Sequence, residues 1–564
     1  MKKIFLAIIC LTLCVGQMMA NANSEKEMER LTKEFLAHYE GNLPTGTEIS
    51  ADSSSININF LEFIADPVAK RYFEQMGKVI LAEQAADTEM NVEIEDLQLG
   101  QIMDMRESTK RGAHKAVAIP HVTCCLKIPY TYTSVDGKNN PIRLSSILYR
   151  PSPFQLNLNA KLGVLNVINF RIALFAFVIE LIKGAWNAVV GYTFDYGVLS
   201  CHPTVTTSAE APSGNSPLDG DVHMFCSDYA IVVCPDYCGY GLSEFKQHPY
   251  LVQGVTARNV VDGYIAALDL IKSNNESGAS GSWKLASDFY TDLIGYSQGG
   301  SVALATLRYL EGPQVSSDKL NRINLRNVYC GDGPYSPIAT INQYVEWANS
   351  SEKKYNEMAY PCVLPLIVQA AKDAYDNDCM RTVELESYFT PEFISTGIVK
   401  QLDTKRVDTE SLNKIIWAKG IRRIDQIMSD KMIKKVVETD DNGVTKEKIV
   451  LNTESNEYKC LMRALSYNDL SKGWTPHHPL VFMHLDGDLV VPYSNMKEVE
   501  KNIGRDPKKK MIFTDPYKVK DAMSTIWHLI ATVIKGCLNN PDHGSIGKFF
   551  FMAAAAGVFE DWLK

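Results

Sequence analysis

A chain of 564 residues, 46% hydrophobic and 22% charged, carries enough apolar material for one or more large cores. With 35 Gly and 24 Pro spread along it, the composition excludes a disordered, collagen-like or coiled-coil protein. A formal charge of −9 argues against nucleic acid as a partner.

Residues 1–22 have the pattern of an export signal. Lys2 and Lys3 open it, residues 4–15 are apolar, and Ala20-Asn21-Ala22 is an A-x-A cleavage site, so the mature chain is expected to start at Asn23. The apolar run is shorter than the ~20 residues of a bilayer span, which makes a membrane anchor the weaker reading. The expected location is therefore the periplasm, the cell surface or the medium. Cleavage removes two lysines and no acid, leaving the mature chain more acidic still. Of the 13 cysteines, Cys10 and Cys14 fall in the leader, and an odd number remains. Cys234 is near enough in sequence to pair with Cys238 or Cys226, with buried free thiols as the alternative.

Residues 23–117 are polar and mostly helical in pattern, broken at 42–46 and at Ser53-Ser54-Ser55, and are read as an N-terminal extension without a motif. Strands are predicted at 127–134 and 142–149 around the turn Asp136-Gly137-Lys138. An apolar stretch at 162–190 follows, interrupted by Arg171, Glu180 and Lys183, which suits an amphipathic or buried helix better than a span. Strands at 194–201 and 229–234 precede a helix whose apolar stripe is Val261, Tyr264, Ile265, Leu268 and Ile271. Next come a strand at 290–294, a helix at 301–310 and a strand at 327–330. This alternation implies a mainly parallel sheet covered on both faces.

The alternation stops near residue 337. Residues 338–464 read as a mostly helical cap insertion with one hairpin signal at Asp441-Asn442-Gly443. Within it, residues 360–371 carry Val363, Leu364, Leu366 and Ile367, either part of a lid or ordinary core. Strands at 480–484 and 510–514, an extra apolar helix at 515–541 and a terminal helix from about 547 complete the chain. The expected architecture is one α/β domain in two parts, 118–337 and 465–564, around the insertion.

The strongest local signal is Gly295-Tyr296-Ser297-Gln298-Gly299, between a predicted strand and a predicted helix. G-x-S-x-G in that context is a nucleophile elbow, in which small flanking residues permit the tight turn that exposes a Ser hydroxyl. Such a hydroxyl needs a His base, and the base needs a carboxylate to orient it. In chain order the acid should follow Ser297 and the His should come last. The loop after the strand at 480–484 offers Asp488, just before Val490-Val491-Pro492, with Asp486 as the alternative. A metal site on these two acids lacks further ligands at a recognised spacing. His543, in Pro541-Asp542-His543-Gly544, is expected on a loop before the last helix, whereas its rival His528 falls in an apolar helical stripe. Oxyanion donors are expected from the amide of Gln298 and from the loop Cys201-His202-Pro203-Thr204. Pro203 has no amide hydrogen, so Thr204 or His202 must serve, with Thr204 the chosen donor.

Together these residues resemble the α/β-hydrolase superfamily, and within it the exported lipases and esterases. The likeness is carried by His202-Pro203-Thr204, Pro235-Asp236-Tyr237-Cys238-Gly239, the Ser297 elbow, Trp474-Thr475-Pro476 and His543-Gly544-Ser545. It covers about 118–337 and 465–564. The resemblance implies an α/β-hydrolase fold and hydrolysis of carboxylic esters through an acyl-enzyme on Ser297. It also implies a small-molecule or lipid ester substrate, no cofactor, and transient contact with a lipid interface. Pro203 in place of Gly, Leu485 in place of a small residue and the helix at 515–541 are departures that bear on the acyl pocket. Two other readings remain open: a prolyl-oligopeptidase-like serine peptidase, although no propeller-sized region precedes the core, and a non-catalytic binding protein on the same fold.

Overall fold

The computed structural model describes residues 47–49, 56–58, 125–151, 192–214, 230–276, 283–504, 511–514 and 543–563, with Arg30 and Phe225 and apart from a few isolated positions. The expected export signal, the stretch at 162–190, Cys226, His528 and the helix expected at 515–541 lie outside the described residues, as does most of 23–117. Within 23–117 the described strands Thr47–Ile49 and Ile56–Ile58 form an antiparallel ribbon across the Ser53-Ser54-Ser55 break.

Eight strands form one sheet. They are β1 (Cys125–Val135), β2 (Pro141–Pro151), β3 (Tyr192–Cys201), β4 (Ala230–Pro235), β5 (Trp283–Tyr296), β6 (Leu325–Gly331), β7 (Leu480–Met483) and β8 (Met511–Thr514). Their spatial order is β8-β7-β6-β5-β3-β4-β2-β1. β2 pairs antiparallel with both β1 and β4, and every other pairing is parallel. The β1–β2 turn is closed by Asp136, whose Oδ1 accepts from the amides of Lys138 and Asn140 at 3.0 and 2.9 Å. The central strands are buried on both faces, as continuous apolar runs such as Ile231-Val232-Val233 require. β5 is much longer than its predicted core because its first half, with Lys284, Ser287 and Asp288, is only partly covered and lacks an apolar run.

Helices cover the sheet. α1 (Gln253–Glu276) buries Val261, Tyr264, Leu268 and Ile271 against α2 (Gln298–Leu310) and the strands, at ~1.5–3 kcal/mol for each large side chain taken fully from water. On the other face α7 (His543–Ala555) packs Phe549, Phe550 and Phe551 with Ile294, Tyr296, Tyr329 and Val481. This helix begins at His543, four residues earlier than expected. Gly547 does not delay the helix start: it lets α7 approach β5, since a Cβ there would lie 2.8 Å from the Tyr296 ring.

Between β6 and β7 the chain is mostly helical, with α3 (Pro337–Ala348), α4 (Val363–Ala374), α5 (Thr409–Ala418) and α6 (Asn456–Ser466). The hairpin signalled at Asp441-Asn442-Gly443 is present, pairing Ile433–Thr439 with Thr445–Leu451. These elements share a core of their own, including Ile367, Phe393, Leu412, Ile416 and Leu461, which also takes in Tyr250, Leu251, Val252 and Val255 near the start of α1. Among the described residues no helix is long and apolar enough to cross a membrane.

Candidate active site

The C-terminal ends of β5, β6 and β7 lie side by side, with Tyr296 opposite Gly331 and Gly331 opposite Met483. The residues that follow each end therefore meet at one edge of the sheet. Ser297 follows β5 with φ 59° and ψ −127°, a conformation that L-residues adopt only under constraint. Gly295 and Gly299 make the turn feasible, because a Cβ on either would lie 2.0 Å from a backbone oxygen, of Gly299 and Cys201 respectively. Ser297 stands at the N-cap of α2, yet its side chain makes no capping bond. Its hydroxyl is directed to His543, with Oγ 2.8 Å from Nε2.

His543 opens α7, and its Nδ1 is 2.5 Å from Asp488 Oδ2. The Asp488 carboxylate is fixed on its other oxygen, where Oδ1 accepts from the amides of Val490 and Val491 at 2.7 and 3.1 Å. Asp488 is buried, whereas Asp486, the alternative acid, is exposed. The loop is held from the insertion by Tyr344 of α3, whose hydroxyl donates to the carbonyl of Val490 at 2.5 Å.

Gln298 supplies the first amide of α2, and the first amides of a helix have no partner within it. Its side chain is anchored away from the site: Nε2 donates to Nε2 of His248 at 2.8 Å, and His248 Nδ1 donates to the carbonyl of Cys238 at 2.8 Å. Thr204 lines the same cavity as Ser297, with its Oγ1 3.0 Å from the Tyr250 hydroxyl. The His202 ring is turned into the protein, stacked on Tyr237 with centroids 3.9 Å apart. Burial lowers the imidazole of His202 to about 4 and that of His248 to about 3.

Several residues of the site were not anticipated. Glu210 clamps the loop after β3 to the insertion. Its Oε2 accepts from the amides of Thr206 and Thr207 at 3.1 and 3.2 Å, and its Oε1 accepts from the amide of Thr409 at 3.1 Å. Asp332, directly after β6, is fully buried with φ 35° and accepts from the amide of Leu485 at 2.7 Å. The signal for it was Gly331-Asp332-Gly333, an acid between glycines at a strand end.

Asp332, His484 and Asp488 bring three ligand-type atoms within 4.8 Å of one another. The set fits a cation poorly. Both carboxyl groups are engaged, by Leu485, Val490, Val491 and His543, and His484 Nε2 donates to the carbonyl of Val491 at 2.9 Å. Cys234 and Cys238 are both buried and are not joined to each other, so the Cys234–Cys238 pairing does not form.

A cavity of about 330 Å³ opens over Ser297 and His543. Leu251, Tyr344, Val363, Ile367, Val491 and Phe551 give it a largely apolar wall, to which α3, α4 and α5 of the insertion all contribute. The elements that place its polar edge are the loop after β3 and the head of α7.

No family model matches the chain, and no curated protein does. Among solved structures it is similar to the rice cell wall degrading esterase of Xanthomonas oryzae, at 16% identity and a TM-score of 0.49, over 78% of this chain and 90% of that one. It is also similar to a putative hydrolase of Legionella pneumophila, at 13% identity and a TM-score of 0.47, over 79% and 91% of the two chains. Candida antarctica lipase A in its closed state is a third, at 12% identity and a TM-score of 0.41, over 78% and 87%. The fold is assigned from the chain's own topology. With one antiparallel strand at the second position, β3 and β4 exchanged in spatial order, and a strained Ser between β5 and the helix behind it, the protein has the α/β-hydrolase fold.

Proposed function

We propose that the protein is an exported serine hydrolase that cleaves carboxylic esters. The observation that carries this reading is the continuous path from Ser297 Oγ to His543 Nε2 at 2.8 Å and from His543 Nδ1 to Asp488 Oδ2 at 2.5 Å. In this reading His543 takes the hydroxyl proton as Ser297 Oγ attacks the ester carbonyl. Asp488 keeps the ring in the tautomer that leaves Nε2 free to act and stabilises the imidazolium that forms. The amides of Gln298 and Thr204 receive the charge of the tetrahedral intermediate. His543 then protonates the departing alcohol, and water, activated by the same imidazole, releases the acid from Ser297. No step calls for a cofactor.

The apolar wall of the cavity favours an ester with an apolar acyl chain, and the insertion acts as its lid. Export rests on residues 1–22 alone. The test is hydrolysis of p-nitrophenyl esters of increasing acyl length by the chain from Asn23, beside Ser297→Ala. Activity absent from the variant supports the reading, and its dependence on acyl length measures the cavity. A folded protein that turns over no ester refutes it.

A further inference from the structure

The Tyr296 hydroxyl stands between two oxygens: Oδ2 of Asp332 and the backbone carbonyl of His543, the latter at 2.6 Å. A carbonyl oxygen can only accept. If Asp332 were a carboxylate it too could only accept, and one phenolic proton would face two acceptors, leaving one pair of oxygens in contact without a hydrogen between them. The contacts are all satisfied when Asp332 carries the proton. Oδ2–H then donates to the Tyr296 oxygen, the Tyr296 O–H donates to the carbonyl of His543, and Oδ1 accepts from the amide of Leu485 at 2.7 Å.

We infer that Asp332 is a neutral carboxylic acid whose proton, relayed through Tyr296, fixes the backbone of His543, which makes Asp332 and Tyr296 positioning residues for the base. The role given to His543 rests on the hydrolase reading, whereas the proton on Asp332 does not. The titratable groups facing Asp332 are Tyr296 from β5, His484 and Asp488 from the loop after β7, His543 from α7, and Tyr335 from its own loop. His484 Nε2 is 3.8 Å from Oδ1 and already donates to Val491, and its Nδ1 is buried without a partner. His484 therefore gives Asp332 no hydrogen bond from that side. Asp488 adds a negative charge that disfavours a second one. Burial in turn raises the Asp332 carboxyl above the ordinary carboxylate range.

A neutral acid here has a mechanical and an electrostatic consequence. It joins the elbow (Tyr296), the acid loop (Leu485) and the head of α7 (His543) at one point. It does so without a second negative charge beside the Asp488–His543 pair. An ionised Asp332 would instead take the Tyr296 proton, and the His543 carbonyl would lose its bond from Tyr296.

The test combines infrared difference spectroscopy with pH–rate profiles on the intact chain. Wild type minus Asp332→Asn at neutral pH should show the carbonyl band of a protonated carboxylic acid, shifted in deuterium oxide. Tyr296→Phe removes the acceptor of that proton and should displace the same band, so the assignment does not depend on the Asp332 variant folding. Asp332→Asn can donate to Tyr296 and accept from Leu485, so its kcat at neutral pH should stay within about threefold of wild type. Its alkaline limb should extend to higher pH. Tyr296→Phe should lower kcat by ~10-fold with KM little changed. Absence of the acid band from wild type at neutral pH overturns the inference, as does a band that Tyr296→Phe leaves in place. If no form turns over ester, the hydrolase reading falls, and the infrared band still decides the proton on Asp332.

Discussion

Lowering the pH from about 7 to about 5 should cost the fold ~4 kcal/mol through His202 and His248 alone. Both imidazoles are buried, His202 at 6% exposure and His248 at 1%. Their folded values, about 4 and about 3, lie below the ordinary 6.5. The unfolded chain therefore takes up protons first as the pH falls. The stability these residues contribute is complete above 6.5 and drains away as the pH drops towards 4 and 3. About 1.5 pH units below 6.5, each has lost ~2 kcal/mol, a large part of the ~5–15 kcal/mol of a typical domain. The raised carboxyls of Asp236, Asp292 and Asp332 act in the opposite sense, because they bind protons in the folded state before the unfolded one. The informative quantity is therefore a difference. Urea unfolding of wild type and His248→Gln should be followed at several pH values, and the variant should lose ~2 kcal/mol less over the same interval. Parallel curves would refute the assignment of a neutral, buried His248. While the fold holds, His248 stays neutral over this interval and its Nε2 keeps accepting from the Gln298 side chain at 2.8 Å.

Two further substitutions separate charge from position. Asp488→Asn keeps the bulk but not the charge that orients His543 Nδ1, so kcat should fall by ~10³-fold or more with KM little changed, measured on the best p-nitrophenyl ester. Glu210→Ala removes the acceptor shared by Thr206, Thr207 and Thr409, three amides that tie the loop bearing Thr204 to α5. A loss of ~2–3 kcal/mol by urea unfolding is expected, with a drop in kcat that exceeds any change in KM. Unchanged kinetics would mean that this loop supplies no donor to the oxyanion.

The elbow and the acid loop could be read in the sequence because each is a local pattern whose meaning is set by its own strand. Gly295-x-Ser297-x-Gly299 needs only a strand before and a helix after, and Asp488 precedes the Val490-Val491 amides that it goes on to accept from. His543 was chosen by chain order and by the helical stripe expected around its rival, but its place at the first turn of α7 was not foreseen. Gly544 and Gly547 resemble helix breakers until the Tyr296 ring that Gly547 accommodates is known. Glu210, Asp332 and His248 were invisible for a different reason. Their partners lie far along the chain, 199 residues away for Thr409, 153 for Leu485 and 50 for Gln298. A buried carboxyl or imidazole is recognisable as functional only when those partners are in place. The insertion's share of the cavity was hidden likewise, since Val363 and Ile367 sit on an apolar helical face whether it covers a core or a substrate.

The position of His543 depends on a close approach that a single methyl group should disturb. The register of β5, β6 and β7 places Ser297, Asp332 and Leu485 together, because each follows a strand end paired with its neighbour. His543 has no such strand. It is fixed by its carbonyl contact with Tyr296, by Asp488, and by the packing of α7 on the Tyr296 ring, whose centroid is 5.0 Å from that of His543. Gly547 lies one turn further along the same helix face, and a Cβ there would stand 2.8 Å from Tyr296 Cε1. The ring cannot swing aside while its hydroxyl holds Asp332 and His543, so Gly547→Ala should lift the first turn of α7 instead. A shift of even about 1 Å at a reacting group costs up to ~10²-fold in rate. The variant should therefore fold, bind ester with nearly unchanged KM, and lose kcat. A wild-type kcat in Gly547→Ala would show that α7 yields without carrying His543 with it, and that the Tyr296 contact is not what fixes the base.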